Sequence, residues 1–184
     1  KGAYSNKAKN ANLQCYAEAF SFLQSKKLYT VDDLETTLHA MQDKIGMLKK
    51  SASSKQARIK EVDELLRMVD YYKSGKPATD KLKSIRFEKS RQKYKAEHDD
   101  ELRTFYMAER KLKPYFKDGK LPITAWCKER AQLEQEYRDI QTELSPLHAD
   151  AKKLWAIHYN IYEVQHEQER QNTELRQKKQ EIEH

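Results

Sequence analysis

Between Leu34 and Val69 the hydrophobic residues recur in an alternating four-three rhythm: Leu34, Leu38, Met41, Ile45, Leu48, Ala52, then Ile59, Val62, Leu66 and Val69, with Lys55 alone out of series. A helix of 3.6 residues per turn places all of these on one narrow stripe, the geometry of a coiled-coil seam. Thr30 reads as the N-cap, since its hydroxyl can take a first-turn N–H while Asp32 and Asp33 face the positive end of the helix dipole. The helix is expected over residues 31–74, a length of about 65 Å at 1.5 Å per residue. Gly75, Lys76 and Pro77 read as its stop. Residues 49–55 contain no large apolar side chain, so a bend or a solvated segment is expected there.

A second stripe begins near Ile123 and runs through Trp126, Leu133, Tyr137, Ile140, Leu144, Leu147, Ala151, Leu154 and Ile161. Ser145-Pro146 removes a backbone donor within it and predicts a bend. Trp155, Ile157, Tyr159, Tyr162 and Val164 add a second apolar side, which calls for contact with a third element. After Val164 only Leu175 and Ile182 are large aliphatics, so a solvated or frayed tail is expected. Near the start, residues 1–10 are polar and basic and read as extended. Leu13, Tyr16, Ala17, Phe20 and Leu23, widened by Ala19 and Phe22, predict a short helix over residues 10–25 closed by Lys26 and Lys27. It is the natural third element beside residues 155–162. Between the long stripes, Thr79-Asp80 can cap a helix carrying Leu82, Ile85 and Phe87. A further helix over residues 99–116 should bury Leu102, Phe105, Tyr106, Ala108, Leu112 and Phe116, with a kink at Pro114. Asp118-Gly119 reads as a turn.

Two long stripes of similar length joined by a compact segment pack most simply as an antiparallel pair. The expected fold is all-α: a long antiparallel helical hairpin, coiled-coil-like, with a small helical lobe at its tip. Its parts are residues 1–30 (N-terminal segment and short helix), 31–75 (first long helix), 76–122 (basic lobe) and 123–184 (second long helix with its tail). The pattern leaves open whether the long helices pair within one chain or between two.

Composition supports this picture. Of the 184 residues, 38% are hydrophobic and 35% charged, a balance that suits helices burying one stripe rather than a thick core. Four Gly and four Pro are too few for the turns of an all-β or α/β fold. The formal charge of +7 is uneven, with residues 76–122 carrying fourteen basic against eight acidic side chains, while residues 123–184 carry nine against twelve. Cys15 and Cys127 lack CxxC spacing and read as buried or half-buried free thiols of a reducing interior such as the cytoplasm. There is no apolar run long enough for a membrane span and no signal-peptide core. The opening Lys1-Gly2-Ala3-Tyr4 lacks an initiator Met, so the chain reads as a piece or a processed product of something longer.

No catalytic constellation is visible. A glycine-rich phosphate loop and zinc-ligand spacing are both missing. His39, His98, His148, His158, His166 and His184 form no HxH pair and read as surface or boundary residues, although His158 and His166 are close to two turns apart. Asp99-Asp100 and Glu61 with Glu64 read as helix-dipole and i,i+4 partners. No catalytic residue, metal ligand or cofactor is therefore assigned. The stronger lead is the basic run over residues 81–95. Lys81, Lys83, Arg86, Lys89, Arg91, Lys93 and Lys95 stand against Glu88 and are interleaved with Phe87 and Tyr94. Such a run neutralises phosphates and releases counterions without reading bases, and its seven cationic side chains are the candidate nucleic-acid-binding residues. On one helix, Lys81, Lys89 and Lys93 would share a side, with Lys83 and Arg91 pointing elsewhere.

Several pieces occur in a suggestive order: Lys1-Gly2-Ala3-Tyr4; Tyr16-Ala17-Glu18-Ala19-Phe20 with Leu23; Thr30-Val31-Asp32-Asp33-Leu34; Lys93-Tyr94-Lys95-Ala96-Glu97-His98; Lys120-Leu121-Pro122; and Glu136-Tyr137 on a long helix. Over residues 1–165 this order resembles the region C-terminal to the nuclease domain in relaxases, the mobilisation proteins of Gram-positive integrative and conjugative elements. Relaxases nick one strand at a transfer origin through a Tyr nucleophile, with a metal held by a His cluster. Neither can be placed on this chain, so the resemblance implies a non-catalytic part of a nicking enzyme. It implies DNA, conjugation accessory or coupling proteins, or a second copy as partners, and no membrane insertion. The competing expectation is a coiled-coil scaffold or adaptor that binds protein only; an independent enzyme is the third.

Overall fold

The computed structural model describes residues 2–182, with side chains described from residue 14 to residue 177. It is all-α. Five α-helices follow in order: α1 (Gly2–Ser25), α2 (Val31–Ser84), α3 (Glu88–Glu97), α4 (Asp99–Leu112) and α5 (Ile123–Ile182), with a 3-10 turn at Lys113–Tyr115 between α4 and α5. Among the described residues the one β-type pairing is an isolated bridge between Lys117 and Lys120. No helix among them is long and apolar enough to cross a membrane.

The chain divides into two compact units, one of Lys1–Lys49 with Thr142–His184 and the other of Lys50–Gln141, so α2 and α5 each contribute to both. In the first unit Leu34 and Leu38 of α2 pack with Leu154, Ile157 and Ile161 of α5, while Phe22, Leu23 and Leu28 close the cluster. Lys44 pairs with Glu143 and Glu35 with His158. In the second unit Lys55 pairs with Glu136, Arg58 with Glu129 and Asp63 with Arg130. In the first unit Glu35 meets His158 and Lys44 meets Glu143, and in the second Lys55 meets Glu136 while Arg58 and Asp63 meet Glu129 and Arg130, so in each unit the two long helices pair antiparallel within the one chain.

Every member of both seams is buried or half-buried. Lys55, out of series, is also half-buried, and its ammonium reaches Glu136, which lets a cation occupy a seam position. Two local signals act as expected. Thr30 Oγ1 accepts from the Asp33 N–H at 3.1 Å while Asp33 Oδ2 accepts from the Thr30 N–H at 3.1 Å, a reciprocal box that starts α2. Asp118 (φ 48°) and Gly119 (φ 71°) both lie in the left-handed region, and Lys117 and Lys120 exchange two backbone hydrogen bonds of 2.9 Å across them. This is the pattern of a two-residue type I′ turn, where glycine is favoured.

The structure departs from the sequence pattern at several points. Residues 2–10 belong to α1 rather than an extended lead. α1 ends in a Schellman motif: Lys27 adopts φ 58°, Leu28 N–H reaches Leu23 O and Lys27 N–H reaches Gln24 O, both at 3.0 Å. The inward side of α1 is Ala19, Phe22 and Leu23, whereas Tyr16, Ala17 and Phe20 are exposed. Leu13 lies outside the residues whose side chains are described.

α2 does not stop at Gly75 but continues through Pro77 to Ser84. Local signals lose here because tertiary contact wins. A Cβ on Gly75 would stand 2.7 Å from Phe105 Cβ and 3.0 Å from Glu101 O, so the missing side chain is what lets α4 lie against α2. Thr79 is wholly buried one turn later, and its hydroxyl donates to Gly75 O at 3.0 Å. Thr79 and Asp80 therefore lie inside α2 and cap nothing. Ala78, Leu82, Tyr94 and Leu102, with Ile85 against them, form a core that ties the end of α2 to α3 and α4. The second core of this unit gathers Val62, Leu65, Met68 and Val69 of α2, Ala108 and Leu112 of α4, and Trp126 of α5.

Elsewhere, α2 runs unbroken through residues 49–55 and α5 through Pro146. Pro114 ends α4 in a 3-10 turn instead of kinking it. Trp155, Tyr159, Tyr162 and Val164 remain exposed, and of that second side Ile157 alone packs against the core. Cys15 and Cys127 are free but exposed; for Cys127 the reason is that Trp126 takes the inward position and its neighbour points about 100° away.

Candidate nucleic-acid interface

The net charge belongs to one unit. Lys50–Gln141 holds twenty-three Lys and Arg against sixteen Asp and Glu, a net +7, whereas the other unit holds thirteen of each. Within the second unit the excess concentrates over residues 76–95, where eight cations face only Asp80 and Glu88.

The seven candidate residues do not lie on one helix. Lys81 and Lys83 occupy the last turn of α2, Arg86 the link, and Lys89, Arg91, Lys93 and Lys95 lie on α3. Lys81 therefore shares no helix face with Lys89 and Lys93. The link at residues 85–87 is pinned: Arg91 donates a guanidinium N–H to Ile85 O at 2.9 Å, and its backbone N–H bonds Phe87 O at 3.0 Å.

The seven also differ in how free their charges are. Lys81 Nζ stands 5.2 Å from the centroid of the buried Tyr94 ring, Arg91 pairs with Glu88 at 3.6 Å, and Lys93 with Glu97 at 3.8 Å. Arg91, half-buried and holding the link, is a structural residue first. Lys83, Arg86, Lys89 and Lys95 are exposed and have no hydrogen-bond or ion-pair partner among the described residues. These four can each meet a phosphate without breaking an existing contact.

Five other cations of this unit, Lys55, Arg58, Arg67, Lys111 and Arg130, are held in ion pairs. Arg58 is held by both oxygens of Glu129 and by Glu61, which pushes its already high pKa further up. Glu64 lies below its usual range chiefly because Lys111 donates to it, with Arg67 adding to the effect. Glu136 is lowered first by Lys55 and then by Gln132. Arg130 is raised by Asp63. Among the described histidines, His39 and His148 are exposed, His98 meets Glu101 at 3.2 Å and His158 meets Glu35 at 2.9 Å. No three His, Cys, Asp or Glu side chains among the described residues gather as metal ligands would. His184 lies outside them.

Two surface features were missed by pattern reading. Phe87 and Tyr106 were assigned to apolar faces, yet Phe87 is 78% exposed and Tyr106 47% exposed. Phe87 is displaced because the α2–α3 break turns it away from Leu82 and Ile85. Tyr106 lies beside the buried Phe105, ring centroids 5.5 Å apart, and borders a groove with Tyr72, Glu109, Arg110, Lys113 and Phe116. The signal available in the sequence was the basic Arg110-Lys111 at the end of the same helix, with Lys113 directly after it. In the other unit a second groove of about 350 Å³ is almost wholly apolar, walled by Tyr16, Phe20 and Leu23 of α1 and Ile157, Ile161 and Val164 of α5. No protein-family model, curated protein or solved structure shows a significant match to this chain.

Proposed function

We propose that this chain is a non-catalytic helical domain that holds DNA through phosphate contacts made by the end of α2 and by α3. Its setting, following the resemblance described above, is a conjugative relaxase acting in the cytoplasm, where the domain supports DNA processing or partner docking during mobilisation. The observation that carries the reading is the set Lys83, Arg86, Lys89 and Lys95, exposed and unpaired in a stretch with only two acids. Lys81 and Lys93 add to the same field from weaker or longer-range partnerships. Four phosphate contacts imply a slope near −3.6 in log affinity against log salt, or roughly 100-fold weaker binding between 50 and 200 mM salt.

Fluorescence anisotropy with a labelled duplex, at several salt concentrations, tests this. Changing Lys83, Arg86, Lys89 and Lys95 to Gln together should flatten the slope toward zero. Duplex binding that survives these changes with its slope intact places the interface elsewhere, and no binding at low salt removes DNA from the reading. The runner-up, a scaffold that binds protein only, is favoured by the apolar groove between α1 and α5. It gains the ground if DNA binding is absent.

A further inference from the structure

A groove of about 540 Å³ in the second unit combines three aromatic rings with two cations: Tyr72, Tyr106 and Phe116 beside Arg110 and Lys113, with Glu109 as its one acid. Tyr72 is fixed from behind, stacked on Phe105 at 4.9 Å and edge-on to Phe116 at 5.8 Å. Tyr106 is half open to solvent, and its ring lies edge-on to that of Phe105. Arg110 and Lys113 have no ion-pair partner among the described residues. Aromatic rings and unpaired cations lining one groove are what a planar base carrying a phosphate needs.

We propose that this groove seats an unstacked base of a single-stranded nucleic acid, stacked on Tyr106 with its phosphate beside Arg110 and Lys113. The inference rests on the nucleic-acid reading above and adds strand preference to it. Base pairing hides the faces of duplex bases inside the stack, so the aromatic contact is open only to a single strand. Stacking on Tyr106 supplies a share of the affinity that is insensitive to salt, and the phosphate contact at Arg110 and Lys113 adds a salt-dependent share.

The experiment compares the full chain with Tyr106→Ala, Tyr106→Phe and Arg110→Gln. The probes are a labelled twelve-nucleotide single strand, a mixed-sequence duplex and adenosine monophosphate. Tyr106→Ala should weaken single-strand binding roughly 5- to 100-fold, by the same factor at 50 and 200 mM salt, and move duplex binding less than about two-fold. Tyr106→Phe should restore the single-strand affinity. Arg110→Gln should instead lower the salt slope for the single strand by about 0.7. Melting curves keep the comparison honest about folding. If both probes bind and Tyr106→Ala leaves the single strand unaffected, or weakens both probes equally, the groove assignment is wrong while the DNA reading stands. If neither probe binds, the DNA reading fails first. Adenosine monophosphate binding as tightly as the strand would overturn the strand assignment in favour of a mononucleotide site. Displacement of the strand only at a large excess of nucleotide supports it.

Discussion

Single residues carry more of this structure than their chemistry suggests. Gly75 matters for what it lacks, since any Cβ there meets Phe105 Cβ at 2.7 Å on a neighbouring helix. Gly75→Ala should therefore destabilise the second unit by about 1–3 kcal/mol through overpacking, even though alanine favours helix. Gly46→Ala, which meets nothing within 4 Å, should be neutral or stabilising; chemical denaturation of the two variants checks the contrast. Asp33 offers a pH reading. The Thr30 hydroxyl beside it, with the Tyr29 and Thr30 backbone N–H groups, holds its carboxyl below the ordinary value of 3.8. A lowered folded-state pKa means that its contribution to stability is full above the unfolded value. That contribution is lost as pH falls through the folded value. Asp33→Asn should flatten the acid limb of the stability curve while Glu64 and Glu136, lowered by their cationic partners, keep the remainder. Thermal melts from about pH 2 to pH 6 would show it.

At the scale of elements, the long helices show which signals survive packing. The stripes of α2 and α5 were legible because a seam needs only the 3.6-residue period and one partner, and both belong to the sequence. The α2 start and the Asp118-Gly119 turn were legible because their hydrogen bonds lie within four residues. The end of α2 was not. Gly75 and Pro77 are local helix stops, but Ala78, Thr79 and Leu82 are buried against α3 and α4, and that burial outweighs the lost backbone bond. Pro77 is exposed and adds no packing of its own. Pro77→Ala should thus restore a donor to α2 and stabilise the chain by about 1–3 kcal/mol in denaturant titration. A loss of stability instead would mean that the ring shapes the path of α2 into the contact with α4.

For the whole molecule, the division of charge is the fact with most consequence. One unit is neutral and the other holds the entire net +7, a partition that contact between residues far apart in sequence creates and that a linear charge count blurs. If binding follows this field, neutralising Lys49, Lys152 and Arg176 of the neutral unit should leave DNA affinity and its salt slope unchanged. Neutralising Lys83, Arg86, Lys89 and Lys95 should abolish the slope. The second set should also leave the unfolding free energy nearly unmoved, within about 0.5 kcal/mol, since those side chains hold no partner among the described residues. Equal losses from both sets would show that charge acts without regard to position.

The candidate site divides along the same line. Which residues are cationic, that they cluster over residues 81–95, and that helices carry them all follow from composition and period, which need no folded partner. Which of them are free does not. Lys81 lies against Tyr94, Arg91 holds the link at Ile85, and four others are left open, because α3 turns back from α2. The exposure of Phe87, Tyr106, Cys15 and Cys127 was hidden in the same way. Helical period says which residues share a face, but a face is buried only where another element reaches it. At the end of α2 that reach is set by the close approach of α4 at Gly75, between residues some thirty apart in the chain.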